Sequence, residues 1–260
     1  MALTMAYAKL IVVFVMHAKG AMMAKRSAEV LKLLLRHGDA GQLLAFFRAV
    51  EEGFTTAFAD ANVRMPATPK DRPAINARGA IRRVLMDRAF HTAATKAGLA
   101  LVTDFTTPPT WSFPTLRLGA FSVTLGIVEK LRAVGPRRLR NRGKYVRHHA
   151  RNNEVANPQG SLFRDDASGV PRIIPNGSLG ALVVAEASVH QPDVPMWIGF
   201  WLPSPNLRRT YYRCSLDVLL ASLREHQLAA ARRVRPTVGQ PAERKRPVLK
   251  PIKKRKPREE

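Results

Sequence analysis

The segment LGALVVAEA, residues 179–187, is apolar on both faces of a strand except at Glu186. A short apolar run of this kind is typical of a strand buried in the middle of a sheet. Two further strands are predicted after it. MWIGFWL (196–202) alternates between two faces, and TYYRC (210–214) is a shorter candidate. The second half of the chain is therefore predicted to build a sheet around residues 179–187.

Patterning with a period of two begins upstream, at Leu99. LALVTDF (99–105) predicts a strand, and a longer apolar segment follows over residues 113–128. The apolar positions of that segment change parity at Gly119 and Ala120, which would expose half of them in one regular strand. We therefore predict a bulge or a tight reversal at Gly119.

Before Leu99 the apolar residues recur at helical spacing, which predicts helices over residues 27–36, 43–52 and 77–97. Asp39 is suited to cap the second helix, and Gly53 is expected to end it. Gly98 is expected to end the third helix, on which Arg78 and Arg82 would lie on a solvated face. A last helix over residues 215–231, capped by Ser215, is expected to cover the sheet.

These elements predict an α+β fold with N-terminal helices, a mostly antiparallel sheet, a closing C-terminal helix and a disordered basic tail. The predicted divisions are a helical region (24–98), a β-rich α+β domain (99–231) with a basic insertion at 131–152, and the tail (232–260). Residues 1–23 would be an N-terminal extension, explained either by a true start at Met22 or Met23 or by one more buried element, with a secretion signal as the alternative. No transmembrane segment is predicted, since the apolar run at residues 10–16 is far shorter than the roughly 20 residues that span a bilayer.

Positive charge is concentrated in two segments of the chain. The formal net charge is +24, of which residues 132–151 supply eight charges and residues 232–260 supply nine. Localised charge of this size favours a polyanionic partner. The single cysteine, Cys214, excludes an intramolecular disulfide and a multi-cysteine zinc site within one chain, and it is expected to be a packed thiol.

The Lys and Arg residues of the basic insertion follow one another too closely to share one face of a regular helix or strand. We therefore predict an irregular arm that contacts phosphates, with Tyr145 stacking on a base. The predicted nucleic-acid-binding residues are Arg137, Arg138, Arg140, Arg142, Lys144, Tyr145, Arg147 and Arg151 in the insertion, and Lys253, Lys254, Arg255 and Lys256 in the tail.

The predicted function is non-enzymatic binding of DNA or RNA, mainly at backbone phosphates. The protein is expected to be cytoplasmic. It would be associated with the nucleoid in a bacterium and would lie in the nucleus in a eukaryote. P-loops, dinucleotide-binding glycine motifs and nucleophile elbows are absent from the sequence, so no cofactor is predicted. One alternative is a nuclease in which Asp165, Asp166 or Glu186 holds Mg²⁺ or Mn²⁺. Another is a basic adaptor that binds an acidic protein or an anionic surface.

Trp197 and Trp201 flank Gly199 and allow two interpretations. Their rings would form a shelf on which a nucleic-acid base stacks, or they would pack into the core beneath the helix over residues 216–231. Core packing is the commoner arrangement and is the one expected here.

Overall fold

The structure is a computed structural model that describes residues 26–36, 39–68, 70–105, 112–130, 137–139, 144–155, 175, 177–188 and 190–234. It confirms the predicted α+β fold: helices come first, a mostly antiparallel sheet follows, and a C-terminal helix closes the sheet. The predictions for the N-terminal extension and for the tail beyond residue 234 lie outside the described residues.

Three helices form the N-terminal layer. α1 covers residues 26–34, α2 spans Ala40–Arg64 and α3 spans Arg72–Lys96. Asp39 caps α2 as predicted, because its Oδ2 accepts a hydrogen bond from Gln42 N at 3.1 Å. Asp71 caps α3 in the same way, by accepting from the backbone N–H of residue 74 at 3.0 Å.

The prediction that the second helix ends at Gly53 is wrong, since α2 continues to Arg64. A Cβ built on Gly53 would lie 2.7 Å from Ala89 Cβ in α3. Glycine is therefore required here for the close approach of two helices. Gly98 does end α3, with a φ of 66°.

Seven strands of the described chain form the sheet. They are β1 Leu101–Phe105, β2 Ser112–Leu118, β3 Phe121–Lys130, β4 Arg137–Leu139, β5 Leu179–Glu186, β6 Trp197–Pro203 and β7 Thr210–Ser215. Their order is β1-β2-β3-β5-β6-β7, with β4 paired to the C-terminal end of β3. β3 and β5 run parallel, and the other described pairs are antiparallel. Every residue of β5 is buried between β3 and β6, which confirms its predicted central position.

β2 and β3 are joined by a tight reversal at Gly119 and Ala120, which confirms the prediction drawn from the change of parity. Gly119 has a φ of 54°, and a Cβ at this position would collide with the carbonyl oxygen of Leu33 in α1. The backbone N–H of Ala120 donates to that same oxygen at 3.3 Å. The reversal therefore also docks the helical layer onto the sheet.

The main core lies between the helices and one face of the sheet. Its aromatic rings meet edge to face: Phe46 contacts Phe47 and Phe90, and Phe121 contacts Phe200, with ring centroids 5.0 to 5.6 Å apart. Each such ring contributes about 1.5–3 kcal/mol of burial free energy, before the entropy lost on ordering the chain is counted. This core fixes one face of the sheet and leaves the other face to a different element.

Arg78 and Arg82 are buried, contrary to the prediction of a solvated helix face. Arg78 Nη1 donates to Asn62 Oδ1 at 3.1 Å, and Arg82 Nη2 donates to the Pro192 carbonyl at 3.0 Å. The Arg82 guanidinium also lies 4.1 Å from the centroid of the Phe58 ring, a cation–π contact. Both arginines serve the packing of α3 rather than a basic surface.

α5 spans Leu216–Val234 and closes the main core. Ser215 caps it as predicted, because its Oγ accepts a hydrogen bond from Val218 N at 3.4 Å. Leu223 is fully buried, whereas Leu228, expected on the same side, is 60% exposed. The helix therefore projects beyond the core over its last turns.

Candidate functional site

Helix α4, Lys144–Arg151, lies within the basic insertion. The prediction of an irregular arm is wrong for these residues, and also for Arg137–Leu139, which form β4. Val146, His149 and Ala150 are buried on one side of α4, at the i, i+3, i+4 spacing of a helix face. The surrounding basic residues hide that short periodicity in the sequence.

Two basic side chains of α4 point to solvent. Arg147 and Arg151 are four residues apart on the helix, and both are exposed. This spacing places them on the same side of the helix. They are the two predicted nucleic-acid-binding residues whose side chains the structure describes, and it brings them together.

A 3₁₀ turn, Asn152–Val155, follows α4 and anchors it to the sheet. The buried Asn153 side chain bridges two strands. Its Nδ2 donates to the carbonyls of Gly180 in β5 at 2.7 Å and of Pro203 in β6 at 2.8 Å, and its Oδ1 accepts from Gly180 N at 2.8 Å. A Cβ on Gly180 would collide with the carbonyl of His149, so glycine allows the α4 backbone to lie directly on β5.

A second core lies beneath α4, on the sheet face opposite the main core. It comprises Phe113, Val128, Val146, Ala150, Leu182, Val184, Trp201 and Leu207, with Trp197 packed at its margin. His149 belongs to the same layer: its Nε2 lies 3.5 Å from Ser122 Oγ, and its ring meets Phe113 edge-on at 6.0 Å. α4 is thus held by apolar packing as well as by hydrogen bonds.

The tryptophan pair does not form an exposed shelf. Trp201 is 2% exposed, and the ring of Trp197 lies against Gly199 and 6.4 Å from Trp201. Core packing is therefore confirmed for Trp201. The covering helix is α4, whereas the predicted one, α5, lies on the opposite face of the sheet.

Two strand arginines lie on the same face as α4, and sequence reasoning missed them. Arg117 in β2 pairs with Ser122, which lies beside His149 of α4. Arg213 in β7 pairs with Trp201 of the second core. Directly paired residues project to the same side of a sheet, so both arginines lie on the sheet face that α4 covers. Each arginine alternates along its strand with residues of the main core, so its side chain lies on the opposite face of the sheet. That alternation is the signal in the sequence that would have identified both arginines.

Two further arginines lie in the turn between β6 and β7. Arg208 and Arg209 are exposed and follow Leu207, whose side chain enters the second core. Leu207 has a φ of 58°, an uncommon conformation for a non-glycine residue. The turn is closed by Ser204, which pairs with Arg209 through backbone and side-chain hydrogen bonds at 2.9 Å. Sequence reasoning had no basis for placing this turn beside α4.

We call this surface the arginine face. It is formed by six exposed arginines: Arg117, Arg147, Arg151, Arg208, Arg209 and Arg213. Among the described residues on this side, Glu154 is the one exposed carboxylate, because Asp104 is half-buried and Glu186 is buried. The helical layer, in contrast, carries exposed carboxylates beside its basic residues, including Glu52, Asp217 and Glu225. The described part of the arginine face therefore has few carboxylates to offset its arginines, whereas the helical layer carries exposed charges of both signs.

The remaining predicted binding residues fall into two groups. Lys144 and Tyr145 begin α4, and Arg137 and Arg138 belong to β4; the structure describes the backbone at these four positions. The others lie outside the described residues: Arg140, Arg142, Lys253, Lys254, Arg255 and Lys256.

The described residues form no metal site of the kind that the nuclease alternative requires. Asp165 and Asp166 lie outside the described residues. Glu186 is buried in β5, in register with Trp197 of β6 and Val128 of β3. In the part of the chain that the structure describes, no three His, Cys, Asp or Glu side chains are close enough to hold a metal ion together. The carboxylate cluster that metal-assisted hydrolysis requires is thus not assembled by these residues.

Cys214 lies in β7 and is packed against the main core, as predicted. Burial raises the pKa of its thiol, and hydrogen bonds with Tyr212 and the Phe200 backbone oppose this only in part. The thiolate is the reactive form of cysteine, so a raised pKa makes Cys214 a poor nucleophile near neutral pH.

None of the described helices has both the length and the apolar character needed to cross a membrane. No protein-family model, curated protein or solved structure matches the chain. The arginine face is therefore the feature of the described chain from which a function can be proposed.

Proposed function

We propose that this chain binds nucleic acid, DNA or RNA, through contacts between the arginine face and backbone phosphates. The observation that carries the proposal is the grouping of six exposed arginines with a single exposed carboxylate among the described residues of that face. Guanidinium groups bind phosphate oxygens through two parallel hydrogen bonds. A patch of such groups attracts a polyanion and releases its counterions on binding.

The arginines lie on elements whose positions are set by packing and hydrogen bonds within the protein, and not by a ligand. α4 is held by the three hydrogen bonds of Asn153 and by the second core, and Arg117 and Arg213 are on strands. Groups positioned in advance lose less conformational freedom on binding than groups on a flexible chain. This supports the arginine face as the structured part of a binding surface to which the insertion and the tail add charge.

The shape of α4 favours contacts with phosphates over contacts with base edges. The helix has eight residues, so it is about 12 Å long, and one side of it is packed on the sheet. A recognition helix has to enter the major groove, whereas phosphate contacts position a protein without reading sequence. We therefore propose binding with little sequence preference, in the compartment that holds the nucleic acid: the cytoplasm and nucleoid of a bacterium, or the nucleus of a eukaryote.

The proposal is tested by measuring the affinity of the full chain for a labelled duplex and a labelled single strand across a salt series. For a duplex, log K is expected to fall linearly with log salt, by about 0.9 for each phosphate contacted. Replacing Arg147 and Arg151 together with glutamine should weaken binding by at least about tenfold at low salt and flatten the slope by about 1.8 for two lost contacts.

The matched control replaces Arg48 and Arg64 with glutamine. Both are exposed on α2, in the helical layer, so the control makes the same change in net charge on the other side of the sheet. Equal losses in the two double variants, or binding that is insensitive to salt, would contradict the proposal. Sedimentation with anionic vesicles in place of nucleic acid would instead support the adaptor alternative, and cleavage of plasmid with Mg²⁺ would support the nuclease.

A further inference from the structure

The two edge strands of the sheet, β1 and β7, differ in how well they resist further strand pairing. At the β7 edge, Arg26 Nη1 of α1 donates to the Tyr211 carbonyl at 2.8 Å, and Tyr211 is left out of the register with β6. Arg213 adds an exposed charge to the same strand. Bulges, charges and covering elements of this kind keep an edge strand from pairing with another chain.

The β1 edge is regular by comparison. β1 pairs with β2 in an unbroken register over all five of its residues, and it contains no Lys, Arg, Pro or Gly. Its one charged residue, Asp104, is half-buried. In the part of the chain that the structure describes, no strand pairs with the other side of β1. A regular strand with one open side is a template for a further strand.

Exposed apolar side chains gather at the β1 edge. Val102 and Phe105 of β1 are 44% and 63% exposed, and Val84 of the neighbouring α3 is 41% exposed. They are three of the seven large apolar side chains that are exposed among the described residues. Exposed apolar side chains beside an open strand edge are typical of a surface that associates with another polypeptide.

A cleft of about 680 Å³ lies beside this edge, between α3 and the β1–β2 pair. Val84 of α3 and Leu101 and Thr103 of β1 are among the residues that line it. Side chains alternate along a strand, so Phe105 projects to the same side of the sheet as Leu101 and Thr103. A strand added to β1 would place the side chains of its corresponding face beside the cleft.

We propose that the β1 strands of two copies of this chain pair antiparallel about a two-fold axis at Thr103, forming a dimer with one continuous sheet. In this register Phe105 of each copy lies opposite Leu101 of the other, on the side of α3 and the cleft. Val102 of each copy lies opposite Asp104 of the other, so the two carboxylates do not oppose each other directly. Aromatic–aliphatic pairs stabilise such a ladder, whereas like charges in direct opposition destabilise it.

Self-complementarity is the reason for naming a second copy as the partner. An isologous interface requires a surface that matches itself under a two-fold rotation. β1 does so at Thr103, because the apolar residues at its two ends pair with each other and its one charged residue is kept off the axis. The axis runs perpendicular to the sheet, so both helical layers lie on one side of the dimer and both arginine faces lie on the other.

The interface is small, so the dimer is expected to be weak. The five residues of β1 extend over about 17 Å. A standard interface buries about 800 Å² on each partner, and a strand pair of this length with Val84 beside it lies at the low end of that range. We therefore expect a dissociation constant on the order of micromolar.

The experiment is sedimentation equilibrium of the nuclease-treated full chain at high salt, which suppresses bridging by nucleic acid and so makes the test independent of the proposed function. The average mass should rise with concentration from that of one chain towards that of two. Thr103→Lys places two ammonium groups opposite each other and should raise the dissociation constant at least about tenfold. Thr55→Lys makes the same change at an exposed residue of α2 and should leave it unchanged.

Disulfide formation tests the register. Directly opposite Cα atoms of an antiparallel pair are about 4.5–5.5 Å apart, a distance that a disulfide can bridge. Thr103→Cys should therefore give a disulfide-linked dimer under mild oxidation. In Val102→Cys the two thiols lie diagonally across the axis, beyond that distance, so linking should be at least about tenfold slower. The unsubstituted chain, in which Cys214 is packed against the main core, is the blank.

Three outcomes would overturn the inference. A chain that stays monomeric at every concentration would show that the β1 edge is left unpaired or is taken by residues 10–16 or by a different protein. Equal weakening of the dimer by Thr103→Lys and Thr55→Lys, or equally fast linking of Thr103→Cys and Val102→Cys, would place the contact elsewhere. An intact dimer that fails to bind nucleic acid would instead contradict the proposed function and leave this inference standing.

Discussion

Gly53 and Gly79 are both interior residues of long helices, but their surroundings differ. A Cβ on Gly53 would meet Ala89 of the neighbouring helix at 2.7 Å, whereas a Cβ on Gly79 would have no atom within 4 Å. Glycine in a helix interior costs roughly 0.5–1 kcal/mol relative to alanine. Gly53 offsets that cost by allowing α2 and α3 to pack, and Gly79 has no such compensation in its contacts.

Alanine at these two glycines should therefore have opposite effects. We expect Gly79→Ala to raise the free energy of unfolding by about 0.5–1 kcal/mol. Gly53→Ala should lower it by about 1 kcal/mol, because overpacking costs about 1–3 kcal/mol and the gain in helix propensity offsets only part of this. Urea denaturation of both variants measures the difference. A stabilised Gly53→Ala protein would show that α2 and α3 separate without cost.

Residue-scale inference from the sequence succeeded where a residue acts on its neighbours in the chain. Asp39 and Ser215 cap the helices that follow them, and Gly119 forms the predicted reversal. It failed at Gly53 and at Arg82, because their roles are set by Ala89 and by Phe58 and Pro192 in other elements. Caps and turns are local hydrogen-bond patterns, whereas these contacts are not.

At the scale of elements, α4 shows how a charged segment becomes ordered. A helix of eight residues is too short to be stable alone. It is stabilised by burial of Val146, His149 and Ala150 and by the Asn153 bridge to β5 and β6. The positive charge of α4 can be read from the sequence of the insertion. Its helical structure depends on its packing against the sheet.

Asn153→Ala should release this element. The substitution removes three hydrogen bonds and leaves Gly180 N–H and two buried carbonyls without their side-chain partner. Unsatisfied buried groups cost about 1–3 kcal/mol each, so we expect a loss of at least about 3 kcal/mol in the free energy of unfolding. Hydrogen exchange should show faster exchange over residues 144–155.

The neighbouring Asn152 provides the matched control. It is exposed in the same 3₁₀ turn, so Asn152→Ala should change the free energy of unfolding by less than about 0.5 kcal/mol. Equal effects of the two substitutions would contradict the anchoring role of Asn153.

At the scale of the whole molecule, the two faces of the sheet are covered by different elements. The main core joins the helices to one face, and the other face carries α4 and the arginine face. A charged surface built on a covered sheet keeps its arginines apart from the carboxylates of the helical layer. This separation strengthens the local positive field that a polyanion would meet under the proposed function.

Deleting residues 235–260 tests whether the tail contributes to the proposed nucleic-acid binding. The deletion removes ten Lys or Arg and three Glu residues, a net loss of seven positive charges. We expect weaker binding and a shallower salt slope in the same salt series, because fewer counterions are released. Arg147→Gln with Arg151→Gln should weaken the shortened chain further, since distant sites contribute additively. If the pair has no effect once the tail is gone, the tail alone carries the binding.

The sequence by itself determined the α+β class, the central position of residues 179–187, the caps at Asp39 and Ser215, the reversal at Gly119 and the excess of positive charge. These follow from periodicity and from contacts between neighbouring residues, which the sequence displays directly. Only the tertiary structure decided that α4 covers Trp201, that Arg78 and Arg82 are buried, and that Arg117, Arg208, Arg209 and Arg213 join Arg147 and Arg151 on one face. Those outcomes depend on residues far apart in the chain, such as Asn153 with Pro203 and Arg82 with Pro192. A local pattern cannot encode which distant surfaces meet, because that is decided by the packing of the whole chain.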